Sequence, residues 1–139
     1  MEKEAIVTLI RAALEAREHA YAPYSKYAVG AALYTDSGEI FTGCNIENAS
    51  YGATNCAERT AIFKAVSHGE KKMSAIAIAG GMQGEKPVDF AYPCGVCRQV
   101  MHEFGGSSLL VIVAKSVEEY QVFTLNELLP FGFGGESIK

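Results

Sequence analysis

The 139-residue chain has no uninterrupted apolar run near the roughly 20 residues that cross a bilayer, so a helical membrane-spanning protein is excluded. It also lacks the continuous apolar core of a signal peptide. Met1-Glu2-Lys3-Glu4 leads into apolar residues spaced by polar ones, which predicts a cytoplasmic protein and leaves the Asn48-Ala49-Ser50 sequon without glycosylation. Basic charge is scarce: the formal net charge is −4, against the broad positive footprint that phosphate backbones select. The expected partner is a free small molecule, with neither nucleic acid nor membrane involved. No repeat or linker divides the chain.

The 49% hydrophobic and 20% charged residues are the balance of one globular domain, expected over residues 1–139. A core of this size leaves apolar surface that association would cover, which points to an oligomer. The four cysteines fit two disulfides in an oxidising compartment. In a reducing one, a close pair with a distant third points to metal or catalysis.

Ile6, Leu9, Ile10, Ala13 and Leu14 follow the spacing of an amphipathic helix that ends before Pro23. Val29 to Tyr34 and Glu39 to Cys44 flank the turn cluster Asp36-Ser37-Gly38 and predict an antiparallel strand pair. Asn55 to His68 reads as a helix capped by Asn55, with Ala61, Ile62, Ala65 and Val66 buried and Gly69 as terminator. Ala75 to Ala79 and Leu109 to Ala114 are expected as buried strands around a helix from about Cys94 to Phe104, with Gly80 to Tyr92 as the longest loop. Thr124-Leu125-Asn126-Glu127 fits a capping box for a short last helix before Pro130 and a glycine-rich tail. The pattern predicts a layered α/β fold with a mixed sheet flanked by helices.

Cys94 and Cys97 stand three apart in the first turn of their helix, so both can grip one ion. Cys56 and Glu58 point about 200° apart in a helix interior. In a first turn, however, side chains lean toward the N-terminal end and can converge on an ion beyond the tip. Two helix tips facing one metal are expected. Three thiolates with Zn²⁺ carry one net negative charge, which Arg59 and the helix dipoles can offset; as an alternative, Arg59 forms a surface ion pair. Three protein ligands leave a tetrahedral position open to water, as catalytic zinc sites do. His102, about 12 Å along the helix from Cys94, cannot close it. Cys44 fits either a fourth ligand or a small core residue, and His19 and His68 read as solvent-facing or dipole-interacting. Glu58 fits a capping box with Asn55, but beside three cysteines it fits a proton shuttle at activated water. A zinc-stabilised scaffold is the non-enzymatic alternative.

Cys56-Ala57-Glu58-Arg59 with Pro93-Cys94-Gly95-Val96-Cys97-Arg98-Gln99 resembles the cytidine deaminase family in its three-cysteine form. The likeness extends through Pro23-Tyr24-Ser25-Lys26-Tyr27, Val29-Gly30-Ala31-Ala32, Gly43-Cys44-Asn45-Ile46-Glu47-Asn48 and Glu127-Leu128-Leu129-Pro130. The resemblance implies a sandwich with about five strands, one Zn²⁺ per subunit held by Cys56, Cys94 and Cys97, and Glu58 as the proton carrier. It further implies a homotetramer with shared active sites that converts free cytidine and 2'-deoxycytidine to uridine and 2'-deoxyuridine with release of ammonia, in pyrimidine salvage. By the same resemblance Asn45 and Glu47 bind ribose hydroxyls, Ala57 offers backbone polarity to the base, Tyr27 lies near the base, and a C-terminal aromatic, Phe133 or alternatively Phe131, reaches a neighbouring site. Tyr27 and Tyr92 stand where phenylalanine and a small residue are usual, which leaves a modified or antibiotic cytosine nucleoside as the alternative substrate.

Overall fold

The computed structural model describes residues 1–138. Five strands form one sheet in the order β2-β1-β3-β4-β5: β1 (Tyr27–Thr35), β2 (Ile40–Cys44), β3 (Met73–Met82), β4 (Leu110–Ala114) and β5 (Tyr120–Thr124). All neighbours are antiparallel except β3 and β4, whose parallel pairing requires a crossover. Helix α3 (Gly95–Gly105) supplies that crossover, and the expected mixed α/β layering is thereby realised.

The period-2 alternation of the strands divides the core into two layers. Ala32, Ala75, Ala77, Ala79, Ile112 and Ala114 meet Ile6, Leu9, Ile10 and Ala13 of α1 (Lys3–Ala16). Ala31, Leu33, Ile76, Ile78, Val111 and Val113 face the other way, against Ala61, Ile62 and Ala65 of α2 (Ala57–Ser67) and Cys97 and Met101 of α3. Small side chains on the first face admit α1 closely. At Gly30 a Cβ would stand 1.9 Å from the Ala13 carbonyl oxygen, so only glycine fits there. The same holds where α2 crosses β2: a Cβ on Gly43 would lie 2.5 Å from both the Ala57 oxygen and the Ala61 nitrogen. Buried Arg17, just past α1, donates to the carbonyls of Ala28 (3.1 Å), Glu85 (2.9 Å) and Met82 (3.1 Å), tying β1 to the exit of β3.

Several boundaries differ from the sequence expectation. Asn55 does not cap α2: its backbone bridges to Ile46 in extended pairing and its side chain donates to Thr60 Oγ1 at 3.0 Å, so Cys56 becomes the N-cap. Likewise Cys94 is the N-cap of α3 rather than its first helical residue. Gly80 to Met82 belong to β3 and not to the loop, because they pair with Val29, Ala28 and Tyr27. Strand β5 was not anticipated from the chain's own pattern; it pairs only with β4 and closes the sheet edge. Gly69 takes φ 93° just after α2, as a helix terminator does. The Thr124 N–H donates to Glu127 Oε1 at 2.8 Å in the capping box of α4 (Leu125–Leu128).

Candidate active site

The N-terminal tips of α2 and α3 bring Cys56, Cys94 and Cys97 together, with all three sulfurs within 4.8 Å of one another. Cys56 and Cys94 Sγ are 3.9 Å apart. Sulfurs about 2.3 Å from a tetrahedral Zn²⁺ stand about 3.8 Å from each other, so the spacing fits zinc, and it is far outside the roughly 2.05 Å of a disulfide. Cys44, at the end of β2, is not part of this cluster, and neither is any histidine among the described residues. His102 instead packs under the tail, where Cβ atoms on Gly132 and Gly134 would approach its ring to 3.1 and 3.0 Å. His68 caps the far end of α2 with its ring tilted against Phe41.

The charges of the cluster are settled by its neighbours. The neighbouring Cys97 first, then Arg59 and Cys94, hold the Cys56 sulfur down to about 5, well below an ordinary thiol, against the opposing effect of burial. Cys97 is pushed up by its neighbour Cys56, by burial and by the negative charge of Glu58. Held by all three sulfurs, a cation would require the remaining thiol protons to leave. Arg59 Nη2 donates to Cys56 Sγ at 3.3 Å, and although burial opposes its charge, the Cys56 and Cys97 sulfurs hold the guanidinium above its usual range. Its Nε is buried without a partner. The arginine therefore faces the sulfurs and forms no surface ion pair among the described residues.

Glu58 is 4% exposed, and its carboxyl is pushed up to about 7, first by burial and next by the Cys56 charge, with its own backbone N–H opposing. That lies in the range where a group both accepts and returns protons near neutral pH. No capping box with Asn55 forms, since Asn55 stands outside the helix cap.

A cleft of about 280 Å³ opens onto the cluster, lined by residues including Tyr27, Asn45, Cys56, Ala57, Glu58 and Tyr92. Asn45 is buried, its Oδ1 accepting from the Val29 N–H at 2.8 Å and its Nδ2 donating to the Tyr27 carbonyl at 2.8 Å. One amide hydrogen and one lone pair remain for a ligand. Glu47 lies in an adjoining depression with Tyr24, Ser25 and Tyr51, joined to the cleft through Thr54. Its carboxylate accepts from the Tyr24 N–H (3.0 Å), the Ser25 N–H (3.1 Å) and the Ser25 hydroxyl, the last chief among the bonds that keep it below the usual carboxylate range. Phe133 is not in the cleft: it is 58% exposed, and Phe131 is fully exposed with φ 56°.

Sequence reasoning missed Arg98, whose Nε donates to the Pro93 carbonyl at 2.8 Å and Nη1 to the Leu128 carbonyl at 2.7 Å, bracing the segment that presents Cys94. Its place beside Cys97 was the available signal. Val29, Thr54, Ile78 and Ala91 also line the cleft, and nothing in their residue types distinguishes them from core.

The family model for the cytidine and deoxycytidylate deaminase zinc-binding region matches residues 3–113. The chain is 47% identical over 130 residues to the cytidine deaminase of Halalkalibacterium halodurans, covering 94% of this chain and 95% of that one. Its fold matches the crystal structure of cytidine deaminase from Burkholderia pseudomallei with a TM-score of 0.82 at 47% identity, covering 96% of this chain and all of the other. The Mycobacterium tuberculosis cytidine deaminase structure matches with a TM-score of 0.77 at 40% identity, over 91% of this chain and 95% of that one.

Proposed function

The chain belongs to the cytidine and deoxycytidylate deaminase family, and from that premise we propose that it hydrolyses free cytidine and 2'-deoxycytidine to uridine and 2'-deoxyuridine with release of ammonia. The observation that carries this reading is the convergence of three sulfurs from two helix tips beside a buried carboxyl, at the end of a cleft sized for a nucleoside. Cys56, Cys94 and Cys97 are the residues that hold zinc. When bound, the ion supplies the Lewis acidity that makes water a nucleophile near neutral pH.

The remaining chemistry falls to the chain. Glu58 accepts a proton from the attacking water and delivers it to N3 as oxygen bonds to C4. It then carries the hydroxyl proton of the adduct to the amino nitrogen; the C4–N4 bond breaks, ammonia leaves, and C4 becomes a carbonyl. Ala57, at the free N-terminus of α2, offers its backbone N–H to the pyrimidine, and Tyr27 forms a wall beside the base. The spare hydrogen-bonding capacity of Asn45 and the carboxylate of Glu47 serve the ribose hydroxyls. Among the described residues no lysine or arginine lines the cleft or the depression beside it, which supports a free nucleoside over a phosphorylated or polymeric substrate.

We assign the whole chain to a single domain, acting as a homotetramer in which exposed Phe133 completes a neighbour's site. Three free thiols at the centre suit the reducing cytoplasm, and pyrimidine salvage is the role that fits the reaction. The loss of cytidine absorbance with appearance of uridine tests the activity. A zinc-loaded, folded protein that leaves cytidine unchanged would overturn it. Mixing Glu58→Ala with Phe133→Ala subunits tests the shared site, where recovered activity supports it and an active oligomer without recovery rejects it.

A further inference from the structure

The cleft lies between the α2 tip and the segment from Ala91 to Cys94, and on that segment Tyr92 is held in a way the reaction itself does not require. Its hydroxyl donates to Gln121 Oε1 on β5 at 2.6 Å. Its ring stands edge-on to Phe123 with centroids 6.1 Å apart and tilts against Phe90 at 6.2 Å. Tyr92 nevertheless lines the cleft beside Ala91 and Cys94. Ala91 is itself backed by β3, since a Cβ on Gly80 would come within 2.9 Å of the Ala91 Cβ, so this wall has little room to retreat. A half-exposed tyrosine ordinarily exchanges rotamers; a hydrogen bond at its tip and two aromatic neighbours remove that freedom.

We propose that Tyr92 is a specificity-determining residue that closes the cleft to substituents on C5 of the pyrimidine, with Gln121 as the positioning residue that fixes it. This rests on the deaminase reading. In cytosine, C4 is flanked by N3 and C5. Glu58 on the α2 side delivers its proton to N3, so the N3 edge turns toward α2 and the C5 edge turns away from it, toward Ala91 and Tyr92. A hydrogen at C5 needs little space, whereas a methyl group must displace a ring tethered at its far end. Discrimination over a single methyl group in such a pocket amounts to about 10-fold to 200-fold.

The test compares kcat/KM for cytidine and 5-methylcytidine in the zinc-loaded wild type, Tyr92→Ala, Tyr92→Phe and Gln121→Ala. The wild type favours cytidine by about 10-fold or more, and Tyr92→Ala reduces that preference by about 10-fold. Tyr92→Phe and Gln121→Ala keep the bulk but free the ring, and each reduces it by about two- to fivefold. Calorimetric binding of uridine against 5-methyluridine follows the same order without turnover. A preference unchanged in Tyr92→Ala, with circular dichroism showing a folded protein, overturns the proposal. An unchanged preference in both ring-freeing variants removes Gln121 from it. If the wild type fails to deaminate cytidine, the deaminase reading falls, and the product-binding ratio still decides whether Tyr92 limits the space at C5.

Discussion

Helices α2 and α3 both open with a cysteine in extended backbone, at ψ 156° for Cys56 and 168° for Cys94, and both carry an arginine within the first turn or just beyond it. Their arginines go to different partners. Arg59 turns to the sulfur of Cys56, while Arg98 reaches back to the Pro93 carbonyl and across to Leu128. The α2 tip also buries a carboxyl, whereas the corresponding turn of α3 buries the third sulfur, Cys97. One tip thus presents a buried carboxyl and a guanidinium beside its sulfur, and the other presents two of the three sulfurs. Residue types at a helix start do not assign these tasks; the partner each side chain finds does.

Removing the cage gives the largest effect expected. Cys97→Ala deletes a fully buried sulfur and should lower zinc content and activity together, to background, because it takes one of only three protein donors. Elemental analysis beside the cytidine assay checks both, and near-stoichiometric zinc in this variant would remove Cys97 from the cage. Next comes the charge partner. Arg59→Met should keep zinc at saturating metal but reduce kcat by about 10-fold to 100-fold, the range found when groups supporting metal ligands are lost. The comparison sharpens if Arg98→Met behaves otherwise. That variant leaves two carbonyls without their donor and should cost about 1–3 kcal/mol in denaturant unfolding, with a smaller change in kcat than Arg59→Met. Equal kinetic losses from the two arginines would break the distinction between the tips.

The cage and its carboxyl were legible from the chain because their chemistry is carried by residue types that clustering makes conspicuous: cysteines at close spacing with a glutamate and an arginine beside one of them. Helix α1 was legible for a similar reason, since its apolar stripe repeats locally. What escaped depends on pairing between distant segments. Asn55 looked like a cap until its backbone was committed to Ile46, and Gly80-Gly81-Met82 looked like a loop although β1 draws them into the sheet. Strand β5 has the aromatic and β-branched residues of a strand, but its mixed burial, with Val122 exposed, hides the alternation. The tether from Tyr92 to Gln121 spans the same kind of distance, so only the fold shows where that hydroxyl is held.

The division of labour at the α2 tip is tested most directly by titrating zinc into the metal-free wild type and the Glu58→Gln variant side by side, following metal uptake and cytidine turnover in the same samples. The account predicts the same zinc end point for both, with kcat in Glu58→Gln lower by about 10²-fold to 10⁴-fold, the range for loss of a positioned acid–base group. A variant that no longer takes up zinc would make Glu58 a ligand, and one that turns cytidine over at the wild-type rate would place the proton transfer elsewhere; either result would contradict it.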